Sequence, residues 1–211
     1  MRGFAEVRRF AEVISRVVAV GVLTGLALLA GAETASAQSL WLNGGINLST
    51  IHVAPPESLG DVSGEVGVTA GASMTFSDRA RLSYELRGQL AIRRVSFGPD
   101  ITDTITYVEV PVVARYAFMR GEGMTIRAIG GGSMAFRIAA SESVVGDSIS
   151  VKDAYKPLEF AVVVGAQAEW KNRWVFEGRY LFGLSEVYEV TIGGMETRQR
   201  GFQILVGYRL R

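Results

Sequence analysis

A chain of 211 residues that is 48% hydrophobic, with 25 glycines and only 5 prolines, has enough apolar material for one domain with its own core and is not composed like a disordered chain. Its 22 basic and 21 acidic side chains leave a formal charge of +1, which offers no basic surface for nucleic acid. Cysteine is absent, so a disulfide framework, a thiolate metal site and a cysteine nucleophile are all excluded.

The first element is an expected secretory signal peptide. Arg2, Arg8, Arg9 and Arg16 precede the apolar run VVAVGVLTGLALLAGA, and Ala35-Ser36-Ala37 supplies a small-residue cleavage site before Gln38. The run falls short of the ~20 residues a helical span needs, which disfavours a retained membrane anchor. Residues 1–37 are therefore read as the signal and 38–211 as the mature domain, which has 22 − 4 = 18 basic and 21 − 3 = 18 acidic side chains and is formally neutral.

The mature chain shows period-2 alternation in segment after segment, separated by Gly, Pro, Asp and Ser. About eight strands are predicted, near 40–51, 65–77, 80–97, 102–118, 123–141, 157–170, 173–184 and 197–210. Tight connections at Ser77 to Arg79, Met119 to Glu122 and Lys171-Asn172 alternate with longer ones such as HVAPPESLGDVSG and ESVVGDSISVKDAYK. Short turns at one end and long loops at the other are the layout of an outer-membrane barrel.

Parity sharpens that expectation. In the third segment Leu82, Tyr84, Leu86, Leu90 and Ile92 alternate with Ser83, Glu85, Arg87, Gln89 and Arg93. Two architectures fit one oily and one ionic face: a soluble periplasmic lipocalin-like barrel with the oily face inward, binding a hydrophobic ligand, or a membrane barrel with that face on lipid. Aromatic placement favours the membrane barrel. Phe76, Tyr84, Tyr116, Phe118, Trp170, Trp174, Phe176 and Tyr208 gather toward the short-turn end, and Phe136, Phe160, Phe182 and Phe202 toward the long-loop end, as two interfacial girdles do. The expected lumen then holds Glu65, Glu85, Glu109, Glu159, Glu169 and Glu177 with Arg87, Arg93, Arg115, Arg127, Arg137, Arg179 and Arg209. In so narrow a barrel these charges must pair, because an unpaired buried charge costs several kcal/mol, and a packed polar plug is favoured over an ion path.

Catalysis finds little support. The single histidine, His52, is placed in the first long loop, where Asp61 and Glu57 could reach it and Ser49 or Ser58 could supply a hydroxyl, but no strand carries a Ser-His-acid pattern and a solvent-exposed loop histidine is the favoured reading. One histidine without cysteine excludes ordinary zinc chemistry, and no cofactor is expected. Acidic loop residues, among them Asp100, Asp103, Glu142, Asp147, Asp153, Glu186, Glu189 and Glu196, follow no EF-hand spacing and are read as solvated surface. IGGGSMAF lies within a strand, so its glycines are read as close packing or a bulge rather than a phosphate cradle. SESVVGDSISV and SEVYEVTIGGMETR still alternate, so hairpins are expected beyond the membrane, with edges able to take a partner strand.

Tyr107-Val108-Glu109-Val110-Pro111-Val112-Val113-Ala114-Arg115-Tyr116 resembles the strand Y-hydrophobic-E-hydrophobic-P-x-x-x-K/R-Y of the outer membrane protein beta-barrel domain family, in its PorT-like group. The resemblance extends across the layout from Gln38 to Arg211 and implies a small eight-stranded outer-membrane barrel without a conserved catalytic set. Pro111 is expected to mark a bulge. The chain departs from such barrels at its end, which reads Tyr208-Arg209-Leu210-Arg211 rather than closing on an aromatic residue.

The combined reading is an all-β, closed antiparallel up-and-down transmembrane β-barrel, exported to the bacterial outer membrane with both ends of the mature chain periplasmic. Its expected role is structural or interactive (membrane integrity, adhesion or membership of a secretion complex) and non-enzymatic. Expected partners are outer-membrane lipid and lipopolysaccharide, the barrel-assembly machinery, and a protein at the surface hairpins, but no nucleic acid.

Overall fold

A computed structural model describes residues 39–54, 62–77, 80–98, 101–144, 147–151, 154–188 and 196–210 of the chain. The expected signal peptide and much of the first and last long loops lie outside the described residues. The strands are β1 (Ser39–Ala54), β2 (Val62–Phe76), β3 (Leu82–Phe97), β4 (Ile101–Gly121), β5 (Met124–Val144), β6 (Asp147–Ser150), β7 (Leu158–Trp170), β8 (Trp174–Glu186) and β9 (Glu196–Arg209). Eight of these run antiparallel to their neighbours in the order β4-β3-β2-β1-β9-β8-β7-β5, and pairing of β4 with β5 closes the barrel. Closure removes the sheet edges that would otherwise expose unpaired peptide groups to lipid. The short β6 folds back on the upper end of β5.

Local chemistry fixes the short turns. Lys171 and Asn172 both take positive φ, 50° and 55°, and Arg173 N donates to Trp170 O at 3.1 Å. This is the mirror-image turn whose twist matches that of the strands it joins, and it places β7 and β8 in register from Trp170–Trp174 upward.

The side-chain alternation resolves the choice between the two barrels. Outward positions such as Ile46, Val112, Val164, Phe176, Ile204 and Val206 are exposed, whereas Arg87, Glu109, Arg115, Gln167 and Arg179 are buried in the lumen. A lipocalin-like interior would be apolar, so that alternative is excluded. All eight aromatics assigned to the lower girdle lie near the short-turn end; Phe76 is half-buried and the other seven are exposed. At the other end Phe136, Phe160, Phe182 and Phe202 are also exposed.

Among the described residues four register shifts depart from simple alternation. They fall between Glu65 and Val68 in β2, between Ala117 and Met119 in β4, opposite Thr106/Tyr107, where Ile138 is the extra residue of β5, and in the β8–β9 ladder between Phe182 and Glu186. No shift occurs at Pro111, contrary to the expected bulge. Pro111 pairs with Ser133 on the β5 side, while on the β3 side the ladder passes from Leu86–Val112 to Gln89–Glu109 in unbroken register. The missing N–H opens a local gap in pairing without an inserted residue.

The glycine run Gly130–Gly132 likewise contains no bulge. A Cβ at inward-facing Gly131 would collide with the backbone of Val112 and Val113, so glycine is required there by the close approach of β4.

Candidate functional site

The lumen is filled by a nearly continuous polar lattice. At its centre Glu177 accepts from Arg87 Nη2 at 2.6 Å and Nη1 at 3.3 Å, and from Gln167 Nε2 at 2.6 Å. Arg87 also grips Glu85 through Nε at 2.9 Å and Nη2 at 2.6 Å. Arg179 Nη1 lies 3.3 Å from Glu177, and its other nitrogens donate to Gln203 and Gln89. The two-pronged contacts exploit the planar guanidinium fork.

Toward the short-turn end, Glu169 gathers Arg127, Arg115 at 3.9 Å and Arg209 at 3.7 Å. Arg115 also donates to Thr75 at 2.6 Å. Below them Trp41, 2% exposed, turns inward beneath the Arg209 guanidinium at 5.3 Å. Toward the long-loop end, Glu109 bonds Gln89 and Arg93, and Arg93 extends to Gln199 and to Glu159 at 3.4 Å while resting 4.6 Å from the Tyr107 ring centre. Tyr107 in turn donates to Glu159. A small, partly open void is lined by Arg93, Ser133, Glu159 and Gln199. Ser133 Oγ and Gln199 Nε2 have no protein hydrogen-bond partner, so a water there would satisfy both.

Of the residues predicted for the interior, Glu85, Arg87, Arg93, Glu109, Arg115, Arg127, Glu159, Glu169, Glu177 and Arg179 are buried there, and Arg209 stands at the mouth, 23% exposed at its side chain. Two take other positions. Glu65 does not enter the lattice: the β2 irregularity sets it opposite Arg94, whose Nη2 approaches at 3.2 Å with both side chains partly exposed. Arg137 sits at the β5 irregularity, half-buried, and its Nε donates to Lys156 O at 3.2 Å. Sequence parity alone places Gln89, Gln167, Gln203 and Tyr107 inward, yet their role as bridges between charges is visible only in three dimensions.

Above the lattice lies an apolar cap. Ile51, Val95, Ile105, Tyr107, Ala135, Ala140, Tyr155 and Val187 pack into one buried cluster. The segments bearing Tyr155 and Tyr188 are drawn over the barrel mouth by a bridge between them, by ring contact at 4.9 Å, by Lys156 N to Val187 O at 2.8 Å, and by Lys156 Nζ to Glu186 at 3.0 Å. Tyr155 OH donates to Asp103, whose partner across the β4–β5 ladder is Glu142. Burial holds the Asp103 carboxyl above the usual carboxylate range, opposed by the Tyr155 hydrogen bond and aided by Glu142. Burial pushes the Tyr155 and Tyr188 phenols up as well, so both remain protonated. His52 is exposed on β1, opposite Arg198 of β9, and Glu57, Ser58 and Asp61 lie outside the described residues. Among the described residues no cluster of three metal-ligating side chains is found.

A closed eight-stranded barrel with an apolar exterior between aromatic girdles and a charged interior is an integral outer-membrane protein. The chain belongs to the outer membrane protein beta-barrel domain family, whose model matches residues 37–189. No protein with a curated description matches it in sequence. Solved structures share the fold: neisserial surface protein A at 10% identity and TM-score 0.50, covering 80% of this chain and 96% of that one. Ail, the attachment invasion locus protein of Yersinia pestis, is similar at 14% identity and TM-score 0.39, covering 82% and 98%. OprG from Pseudomonas aeruginosa is similar at 11% identity and TM-score 0.45, covering 82% and 96%. The family resemblance seen in the Tyr107–Tyr116 strand thus extends over most of the chain, and the protein resides in the outer membrane.

Proposed function

We propose that the protein is a non-catalytic, non-conducting outer-membrane barrel that presents a surface hairpin to other molecules. The observation that carries this reading is the filled lumen: among the described residues, charges are paired side by side along the bore and capped by the Tyr155–Tyr188 clasp. What remains available for interaction is outside. The β5–β6 hairpin rises beyond the Phe136 level, Ile149 on it is 56% exposed, and β6 is paired only with β5 among the described residues. A four-residue strand with one paired edge suits docking by strand addition.

Replacing residues 141–150 by a two-residue Asn-Gly turn tests this reading. Cells carrying the shortened barrel are expected to lose surface adherence while the protein stays in the membrane and keeps its heat-dependent gel shift. Unchanged adherence, compared with cells lacking the protein altogether, would leave only a role in membrane integrity.

A further inference from the structure

The short-turn end is joined into a rim by bonds between turns distant in sequence. Lys171 N donates to Gly123 O at 2.6 Å, Arg209 N to Arg173 O at 2.9 Å and Leu210 N to Leu40 O at 2.8 Å. Arg120 Nη2 donates to Ala80 O at 2.6 Å. Among the described residues of this rim Arg81, Arg120, Lys171 and Arg173 are exposed, against Glu122, also exposed. The whole chain carries only +1, and the buried lumen balances Arg87, Arg93, Arg115, Arg127 and Arg179 with Glu85, Glu109, Glu159, Glu169 and Glu177. The rim cations are therefore not offset by the lumen; at the long-loop end Arg94 and Lys156 are paired with Glu65 and Glu186, and Arg198 and Arg200 are exposed on β9.

Their depth identifies what they meet. Lys171 follows Trp170 and holds its Nζ 4.8 Å from that ring. Arg173 precedes Trp174, which packs edge-on against Tyr208 at 5.0 Å. Arg120 follows exposed Phe118 and Met119, and Arg81 precedes exposed Leu82. Tryptophan and tyrosine settle at headgroup level, so cations one or two residues away lie among lipid phosphates rather than out in the periplasm. A wholly soluble acidic partner would not require the cations to adjoin the girdle.

We propose that Arg81, Arg120, Lys171 and Arg173 form a binding collar for the phosphates of anionic phospholipids in the inner leaflet. The leaflet assignment rests on the periplasmic orientation of the short turns; the lipid preference does not, because a reconstituted bilayer presents the same lipid on both faces. The test places the full chain, purified from outer membranes, in nanodiscs of phosphatidylcholine with a minority of phosphatidylglycerol, and compares spin-labelled forms of the two lipids at the protein surface. Phosphatidylglycerol is expected to be favoured at least about fivefold, the factor that one interfacial cation supplies. The preference should fall toward unity in high salt and in the combined variant Arg81→Gln, Arg120→Gln, Lys171→Gln, Arg173→Gln, and persist in Lys156→Gln at the opposite end. Equal association of both lipids with the native chain, or an unchanged preference in the combined variant, would overturn the proposal; because the salt response is read on the native chain, it stands even where the variant fails to fold.

Discussion

Glu177 shows how a residue can be indispensable without being reactive. It lies within reach of both Arg87 and Arg179, and all three are buried. Truncation of Glu177→Ala leaves Arg87 with Glu85 alone and takes from Arg179 the carboxylate it lies against, so a loss of about 3–5 kcal/mol is expected in urea unfolding followed by tryptophan fluorescence. The double variant Arg87→Met, Glu177→Leu removes the central pair together and should lose less than the sum of its single changes. Strict additivity would mean that the two side chains do not act as a pair.

Asp103 gives the cap a pH dependence of definite sign. Its carboxyl pKa is raised in the folded protein, chiefly by burial. The stability it lends to the closed cap is fully present below the ordinary carboxylate range and is lost as pH rises through the raised value. Hydrogen exchange in residues 154–157 and 187–188, corrected for the intrinsic rate, should therefore speed up as pH rises above the ordinary carboxylate range in the native chain. Asp103→Asn should flatten that response; an identical response in the variant would move the titration to another group.

At the scale of the element, the strand is a two-faced object and substitutions divide by parity. Val164 faces outward and is 42% exposed, whereas Gln167 faces Glu85 and Glu177. Val164→Arg should cost about 2–4 kcal/mol near the midplane and reduce the heat-modifiable fraction, while Gln167→Arg keeps carboxylates in reach and is better tolerated. Pro111 is a milder case, since the register on both sides of its gap is already continuous. Pro111→Val should shift stability by less than about 1 kcal/mol, and the new amide should be protected from exchange if it closes the ladder toward β3.

The strands also show how far the sequence could be read. Alternation in Leu82–Arg93 and in Phe202–Tyr208 assigned the faces, because a two-residue period is local. What it did not reveal was where the period slips. Glu65 was read as luminal because nothing in SGEVGVTAG announces the β2 irregularity, and Arg137 was carried from its expected place by the extra residue beside Ile138. Nor does sequence say which glutamate meets which arginine. Arg87 reaches Glu177 across ninety positions because closure brings those strands to opposite sides of one bore.

For the molecule as a whole, the same twofold alternation accounts for location and for closure of the bore. The apolar face is on lipid, the buried charges pair across the bore, and glycine at 131 lets β4 approach β5 closely in an eight-stranded barrel that is only just wide enough to be filled. Tyr155 and Val187 pack over the upper end of the bore, β6 pairs with β5 beside it, and the short turns carry cations beside the lower girdle. The absence of cysteine from the chain makes the central claim directly measurable. Single cysteines introduced from 161 to 168 along β7 and spin-labelled in nanodiscs should alternate, with even positions accessible to oxygen dissolved in lipid and odd positions closed to oxygen and to a water-soluble nickel chelate alike. Odd positions open to the chelate would mean a water-filled channel, and the filled-lumen account would fail.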